Sequence, residues 1–267
     1  MIKYIVGIDI GGSKINAVLF KNGKIFKSAK ILTSKNLKEL LEKLEALVRK
    51  LISGLGSKKI SGIGCGVAGV LDLQKGVILN APNLKFLNNL NIKKWLQEQF
   101  RREVKIDNDA RSFLRAEYMF GAGRGYKNLI GITFGTGIGG GMFINDKIIY
   151  GANDSAGELG HMIISKRKDL ELLTVKQARK LRFSKMATKK FGQNLGIGFA
   201  NVINILDPEV IIIGGGAAKT VKKFLPEIKI EAAKFIISPK SRKNVKILVG
   251  KLGEDAGAIG AAALFLE

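Results

Sequence analysis

Gly7-Ile8-Asp9-Ile10-Gly11-Gly12-Ser13-Lys14 ends a near-continuous apolar run and turns on two glycines. Such a run reads as a strand buried on both faces, followed by a tight turn. A second stretch, Gly131-Ile132-Thr133-Phe134-Gly135-Thr136-Gly137-Ile138, has the same form. Gly7, Ile8 and Gly11 match Gly131, Ile132 and Gly135. After a one-residue shift, Asn22, Lys24 and Ile25 match Asn145, Lys147 and Ile148. Each copy is a strand–turn–strand–turn–strand unit followed by helices and further strands. The repeat therefore predicts an α/β fold with two lobes of similar architecture and mixed sheets covered by helices. A cleft between two such lobes is a natural ligand site.

The rest of the chain fits this frame. Residues 37–52 carry apolar side chains at helical spacing, and a strand over 60–67 follows. The pattern over 170–206 is largely helical, with interruptions expected at 183–185 and at the glycines of 192–198; Asp207-Pro208 ends it. Residues 210–213 read as a buried strand and 217–236 as a helix broken near Pro226. A strand at 245–249 and a small-residue helix over 255–266 close the chain. The expected division is a small N-terminal lobe over 1–108, completed by the C-terminal helix 254–267, and a larger lobe over 109–253.

The totals bound the functional class. The 267 residues suffice for two lobes with a real core. One cysteine, Cys65, excludes an intramolecular disulfide and agrees with a reducing, cytoplasmic setting. There is no apolar run of about 18 residues and no leader pattern, so no membrane role is expected. The net charge of +23 leaves contact with a polyanion open. Nucleic acid is disfavoured, because zinc-finger spacing and an aromatic-rich platform are both lacking.

Four local patterns are candidates for chemistry. In V-K-I-D-N-D-A-R over 104–111, a strand ends on Asp107, Asn108 and Asp109 and leads into a helix over 110–120. Asp and Asn suit a helix N-terminus, so a cap is the plain reading. The sharper reading is a carboxylate at a strand end, placed to take a proton from a substrate hydroxyl. In D-I-G-G-S-K, the turn through Gly11, Gly12 and Ser13 can face phosphate oxygens beside Lys14, and Asp9 is placed to hold magnesium. Thr133, Gly135, Thr136 and Gly137 form the second such turn. Its spacing is neither a P-loop nor a dinucleotide fingerprint. Glu158 and His161, the sole histidine, are three residues apart and share a face on a helical turn, where they can bind adjacent hydroxyls.

Together these pieces resemble the ROK family of sugar kinases and repressors, within the duplicated actin/hexokinase-like (ribonuclease H-like) fold. The resemblance rests on D-I-G-G-S-K at Asp9, G-V-A-G-V-L-D at Gly66, N-A-P-N-L at Asn80 and D-N-D-A at Asp107. It continues with F-G-T-G-I-G-G-G at Phe134, A-G-E-L-G-H at Ala156, D-P-E-V-I-I-I-G-G-G at Asp207 and G-A-I-G-A-A-A-L at Gly257. These occur in family order across nearly the whole chain.

The resemblance implies transfer of the γ-phosphoryl group of Mg-ATP to a hexose, with glucose the expected substrate. Asp109 would be the general base. Asn108, Glu158 and His161 would bind sugar hydroxyls, with Gly69 and Asn83 near the sugar. Gly11, Gly12, Ser13, Thr136 and Gly137 would line the phosphates, and Gly215 and Gly216 would lie near the nucleoside. It also implies a homodimer or homotetramer. A polyphosphate donor and a non-catalytic sugar-binding regulator are the alternative readings.

One region departs from the family. Many members carry a C-x-C-G-x-x-G-C-x-E run after the G-H and bind zinc with it. Here that stretch is I-S-K-R-K-D-L-E-L-L, so no zinc is expected. Glu171 is the candidate for the glutamate that closes the motif, if the loop is simply shortened. The family's repressors carry a helix-turn-helix before D-x-G-G, and a first strand starting at residue 2 or 3 leaves no room for one.

Overall fold

The computed structural model describes residues 4–56, 59–176 and 185–266. In chain order the first elements are β1 (Tyr4–Ile10), β2 (Lys14–Lys21), β3 (Lys24–Leu32), α1 (Leu37–Ile52), β4 (Ile60–Val67), β5 (Val70–Asp72) and β6 (Val77–Asn80). Next come α2 (Ile92–Phe100), β7 (Glu103–Asn108), α3 (Asp109–Phe120), β8 (Leu129–Phe134), β9 (Ile138–Ile144), β10 (Lys147–Ile148), β11 (Ile163–Ser165) and β12 (Lys168–Asp169). The last are α4 (Lys185–Leu206), β13 (Val210–Gly214), α5 (Ala218–Lys222), α6 (Leu225–Ala233), α7 (Pro239–Asn244), β14 (Lys246–Val249) and α8 (Ala256–Ala263).

The chain forms two compact units. Unit 1 comprises Met1–Gly121, Tyr150–Ala156 and Leu252–Glu267; unit 2 comprises Ala122–Ile149 and Gly157–Lys251. Each has a five-stranded mixed sheet of the same topology, β3-β2-β1-β4-β7 in unit 1 and β10-β9-β8-β13-β14 in unit 2. In both, the first three strands run antiparallel and the last two are parallel to the first. The repeat read from Gly7 and Gly131 is therefore a repeat of topology. Even the tight turns correspond. Asn22 and Gly23 have φ of 52° and 75°, and Asn145 and Asp146 have φ of 51° and 64°. Positive φ at both central residues gives the turn whose twist suits a two-residue hairpin.

Strand alternation gives the unit 1 sheet two unlike faces. Val6, Ile8 and Ile10 of β1, and Ile63, Cys65 and Val67 of β4, join a core with α1, α2 and the β5–β6 hairpin. The alternate residues are Gly7 and Asp9 of β1 and Gly62, Gly64 and Gly66 of β4. A Cβ at Gly7 would overlap the Ala258 carbonyl, one at Gly64 the Ala261 carbonyl, and one at Gly260 the Ser112 carbonyl. The small-residue helix α8 thus lies directly on β1, β4 and α3. Period-two glycine in β4 is what permits that approach. Burial pushes the Cys65 thiol pKa well up, as befits a core residue.

Three expectations change. The boundary placed at 108/109 moves to Gly121, because α3 packs against α8 and the unit 1 sheet. Unit 1, which also takes in Tyr150–Ala156, is the larger of the two rather than the smaller. The break expected at 192–198 is absent, since α4 runs unbroken from Lys185 to Leu206. Its glycines provide clearance: a Cβ at Gly196 would meet the Glu231 side chain at 2.6 Å, and one at Gly198 would meet Leu170 at 2.8 Å. The break near Pro226 is present between α5 and α6, and Pro226 sits in the first turn of α6. Of the interruption expected at 183–185, residues 183 and 184 lie outside the described residues. Among the described residues, no helix is long and apolar enough to cross a membrane.

Candidate functional site

In unit 1 the candidates cluster at the carboxyl ends of the parallel strands β1, β4 and β7. That end of an open α/β sheet is where ligands commonly bind. The turn after β1 is tied down by Gly11 N donating to Lys14 O (3.0 Å), Thr33 Oγ1 donating to Gly11 O (2.7 Å) and Thr33 N donating to Ser13 O (3.2 Å). Lys14 Nζ pairs with Glu254 Oε2 at 3.0 Å, and Lys30 shares that carboxylate at 3.2 Å. The hydrogen bonds from Lys14 and Lys30 hold Glu254 below the usual carboxylate pKa. Glu254 and Thr33 escaped the sequence reading, since nothing in their spacing ties them to Lys14 or Gly11.

Asp9 shares a face of β1 with Gly7 and points to the first turn of α8, where a Cβ at Gly257 would overlap its carboxylate. Burial pushes the Asp9 pKa up to about 8, the like charge of Asp109 adds to this, and Lys14 opposes it. Asp9 and Asp109 are thus electrostatically coupled within unit 1.

The Asp107-Asn108-Asp109 triplet divides its work. Asp107 is fully buried; its Oδ1 accepts from Arg111 Nε at 2.6 Å and its Oδ2 from Arg115 Nη1 at 2.7 Å. Asn108 is the cap of α3, its Oδ1 accepting from Ala110 N (2.9 Å) and Arg111 N (3.1 Å). Its Nδ2 donates to Gly69 O at 3.1 Å. Capping therefore falls to Asn108, and Asp109 is the first helical residue. Gly69 has φ of +142°, and a Cβ there would lie 2.5 Å from Asn80 O, so Gly69, Asn108 and the Asn80–Ala81 backbone sit together. Asn83 is exposed in the adjoining turn.

The ion-pair cluster extends to the segment Tyr150–Ala156. Arg115 Nη2 donates to the Tyr150 hydroxyl at 2.7 Å, and Arg111 Nη1 donates to Asp154 O at 2.8 Å. Arg111 and Arg115 were missed. The signal was available: they follow Asp107 at intervals of four and eight residues.

Unit 2 brings together the other candidates. Thr133 pairs with Gly139 of β9 and Gly214 of β13. Gly135 N donates to Gly137 O at 2.9 Å, closing the turn. Gly215, with φ of +82°, packs on the Phe134 backbone, and Ala217 N donates to Phe134 O at 2.9 Å. Around Gly216 a Cβ would meet nothing within 4 Å. The Gly135–Thr136–Gly137 turn and the Gly215–Gly216 turn are therefore neighbours.

Glu158 precedes a 3-10 turn, Leu159–His161, and both of its end side chains, Glu158 and His161, are exposed. His161 N donates to Glu158 O at 3.1 Å, which ties the two ends of this turn together. The turn rests on β9, where Gly157 contacts the Gly140 backbone and Gly160 the Ile138 backbone. Glu171 is buried: its Oε2 accepts from Ile138 N at 2.7 Å, and its Oε1 pairs with Lys176 at 2.8 Å. That hydrogen bond holds the Lys176 ammonium above its usual pKa.

The donors at His161 do not fit a structural zinc site. Its recorded partner is a single carboxylate, Asp169, and Cys65 is buried in β4 of unit 1. Among the described residues, no group of three or more His, Cys, Asp or Glu is arranged to hold a metal.

The duplicated sheet with glycine turns at its strand ends is a hexokinase-like fold. The ROK family model matches residues 5–180 and 166–267, and the chain belongs to the ROK family. It is 29% identical to a glucokinase of Halalkalibacterium halodurans over 98% of this chain and 94% of that protein. It is also 29% identical to a xylose repressor of Caldicellulosiruptor bescii, over 98% of this chain and 78% of that one. A ROK family glucokinase from Streptomyces griseus, solved with glucose and AMPPNP, superposes with a TM-score of 0.86 at 25% identity. The superposition covers 98% of both chains. The family thus includes both sugar kinases and repressors.

Proposed function

We propose that this protein is a hexose kinase that transfers the γ-phosphoryl group of Mg-ATP to glucose, forming glucose 6-phosphate in the cytoplasm. The observation that carries this reading is the placement of Asp109 and Asp9 at the carboxyl ends of β7 and β1 in one sheet. Asp109 takes the proton from the attacking sugar hydroxyl. That oxygen forms its bond to the γ-phosphorus as the bond to the ADP oxygen breaks. Asp9 would hold the magnesium that arrives with ATP, directly or through water, and the ion would neutralise charge on the phosphates. Asn108, Glu158 and His161 bind sugar hydroxyls, with Gly69 and Asn83 near the sugar. Gly11, Gly12, Ser13 and Lys14 serve the phosphates, as do Thr133, Gly135, Thr136 and Gly137. Gly215 and Gly216 serve the nucleoside. Such chemistry depends mainly on positioning and charge neutralisation. The solved relative bound to glucose and AMPPNP supports the ligand pair.

The test is a coupled assay of a hexose and amino-sugar panel, with ATP and polyphosphate as alternative donors. The +23 charge favours including polyphosphate, because a long polyanion needs a basic track. Loss of the general base in Asp109→Asn should lower kcat by about 10²- to 10⁴-fold while sparing sugar binding. Unchanged turnover removes Asp109 as base. Sugar binding without turnover by the wild-type protein favours a regulator. Light scattering at working concentration tests for the homodimer or homotetramer.

A further inference from the structure

The His161 side chain is half exposed, yet its ring is held. Its Nδ1 lies 3.3 Å from Asp169 Oδ2. Asp169 is itself fixed from both sides. Its Oδ1 accepts from Leu172 N at 2.7 Å, and its backbone pairs with Ile163 in the β11–β12 hairpin. The next residue, Leu170, is 1% exposed, packs on Gly198 of α4 and donates its N–H to Met162 O at 2.9 Å. Glu171 then ties the same segment to Ile138 N, at the end of the Gly135–Gly137 turn. The run Asp169-Leu170-Glu171 is therefore a brace: an apolar residue sunk in the unit 2 core, with a carboxylate on either side reaching a different turn.

We infer that Asp169 is a positioning residue that keeps the proton of neutral His161 on Nδ1 and presents Nε2 as a hydrogen-bond acceptor. Which ring nitrogen carries the proton is set by the bond the other makes, and a carboxylate can only accept from an imidazole N–H. Glu158, whose carbonyl accepts from His161 N at 3.1 Å, is exposed at the start of the same turn and its carboxylate is also an acceptor when ionised. The two side chains then form an acceptor pair on one exposed turn. The ligand chemistry it selects is two adjacent hydroxyls, each donating one hydrogen bond. This rests on the proposed reading of His161 as a sugar contact, and the test below separates the two.

His161 is the sole histidine of the chain, so 15N NMR of the full-length protein with labelled histidine gives one ring to assign. At pH 8.5 the wild-type spectrum should show Nδ1 protonated and Nε2 unprotonated. Asp169→Ala should move the ring toward the Nε2–H tautomer. Asp169→Asn should largely retain the wild-type tautomer, because its amide oxygen still accepts. In kinetics, loss of one oriented, half-exposed contact should raise the sugar KM about three- to tenfold in Asp169→Ala, with the ATP KM within about twofold. Asp169→Asn should recover most of that loss. An unchanged tautomer in Asp169→Ala overturns the inference, whatever the activity. A changed tautomer with an unchanged sugar KM overturns the assignment of His161 to the sugar and leaves the hold of Asp169 on the ring standing.

Discussion

Asp107→Ala is the sharpest probe of unit 1. The Asp107 side chain is wholly buried, 2.6 Å from Arg111 Nε and 2.7 Å from Arg115 Nη1, and the Arg115 side chain is wholly buried too. Asp107 Oδ1 also accepts from Asn108 N at 2.7 Å. Removing the carboxylate takes from Arg111 Nε and Arg115 Nη1 the buried acceptor that both share. Breaking a buried pair in this way costs about 3–5 kcal/mol, which corresponds to roughly 10 °C in melting temperature for a unit of this size. Thermal melts followed by circular dichroism read the effect directly. The double variant Asp107→Ala/Arg115→Met removes both sides of one ion pair and should lose less than the sum of the two single losses. A single-variant melt within about 1 °C of wild type, or additive losses in the double variant, would refute the view that this buried pair anchors the unit.

Two further outcomes follow from unit 1. Asp9 has a folded-state pKa of about 8 against an ordinary value of 3.8, so between these limits the folded state binds more protons than the unfolded one. Stability contributed at this site is present at low pH and falls as pH rises from 3.8 to about 8. Without nucleotide or magnesium, Asp9→Asn should therefore melt progressively higher than wild type from pH 5 to pH 8.5, while losing turnover; a constant difference across that range contradicts the buried-carboxylate account. Gly260→Val should destabilise by about 3 kcal/mol or more, since its Cβ meets the Ser112 backbone carbonyl and no rotamer relieves the clash. A urea midpoint equal to wild type would show that α8 can lift off α3 cheaply.

The duplicated fold was legible because it is written in long apolar strands and paired turns. Gly7 and Gly131 head matching runs, and Asn22 and Asn145 mark matching hairpins, so local chemistry and tertiary outcome agree. The boundary at residue 108 was not legible. The sequence of α3 announces a helix, but nothing in it says that its partner is α8, more than a hundred residues away. The glycines of α4 misled for the same reason: Gly196 and Gly198 look like breakers until Glu231 and Leu170 are seen to need the space. The short strands β5, β6, β11 and β12 were missed because two to four residues carry no period. At the site, the residue types of the Asp107-Asn108-Asp109 triplet were visible, but not which of the three would be buried, which would cap and which would remain at the strand end. Asp169, eight residues from the sole histidine, was not legible as its partner, because the short β11–β12 hairpin that brings them together carries no period.

The seat of α8 bears on how the chain must assemble. Its glycine-lined contact joins residues 256–263 to strands formed at positions 4–10 and 60–67. Closing so long a loop is slow relative to local pairing. Unit 2, nearly continuous from 122 to 251, can form from neighbours in sequence. A nascent chain that has yet to deliver residues 252–266 leaves the Gly7–Gly64 face of its first sheet bare. The expected order of events is thus reversed from the order of synthesis: the later unit matures first, and the earlier one waits as a client for chaperones until its missing helix arrives.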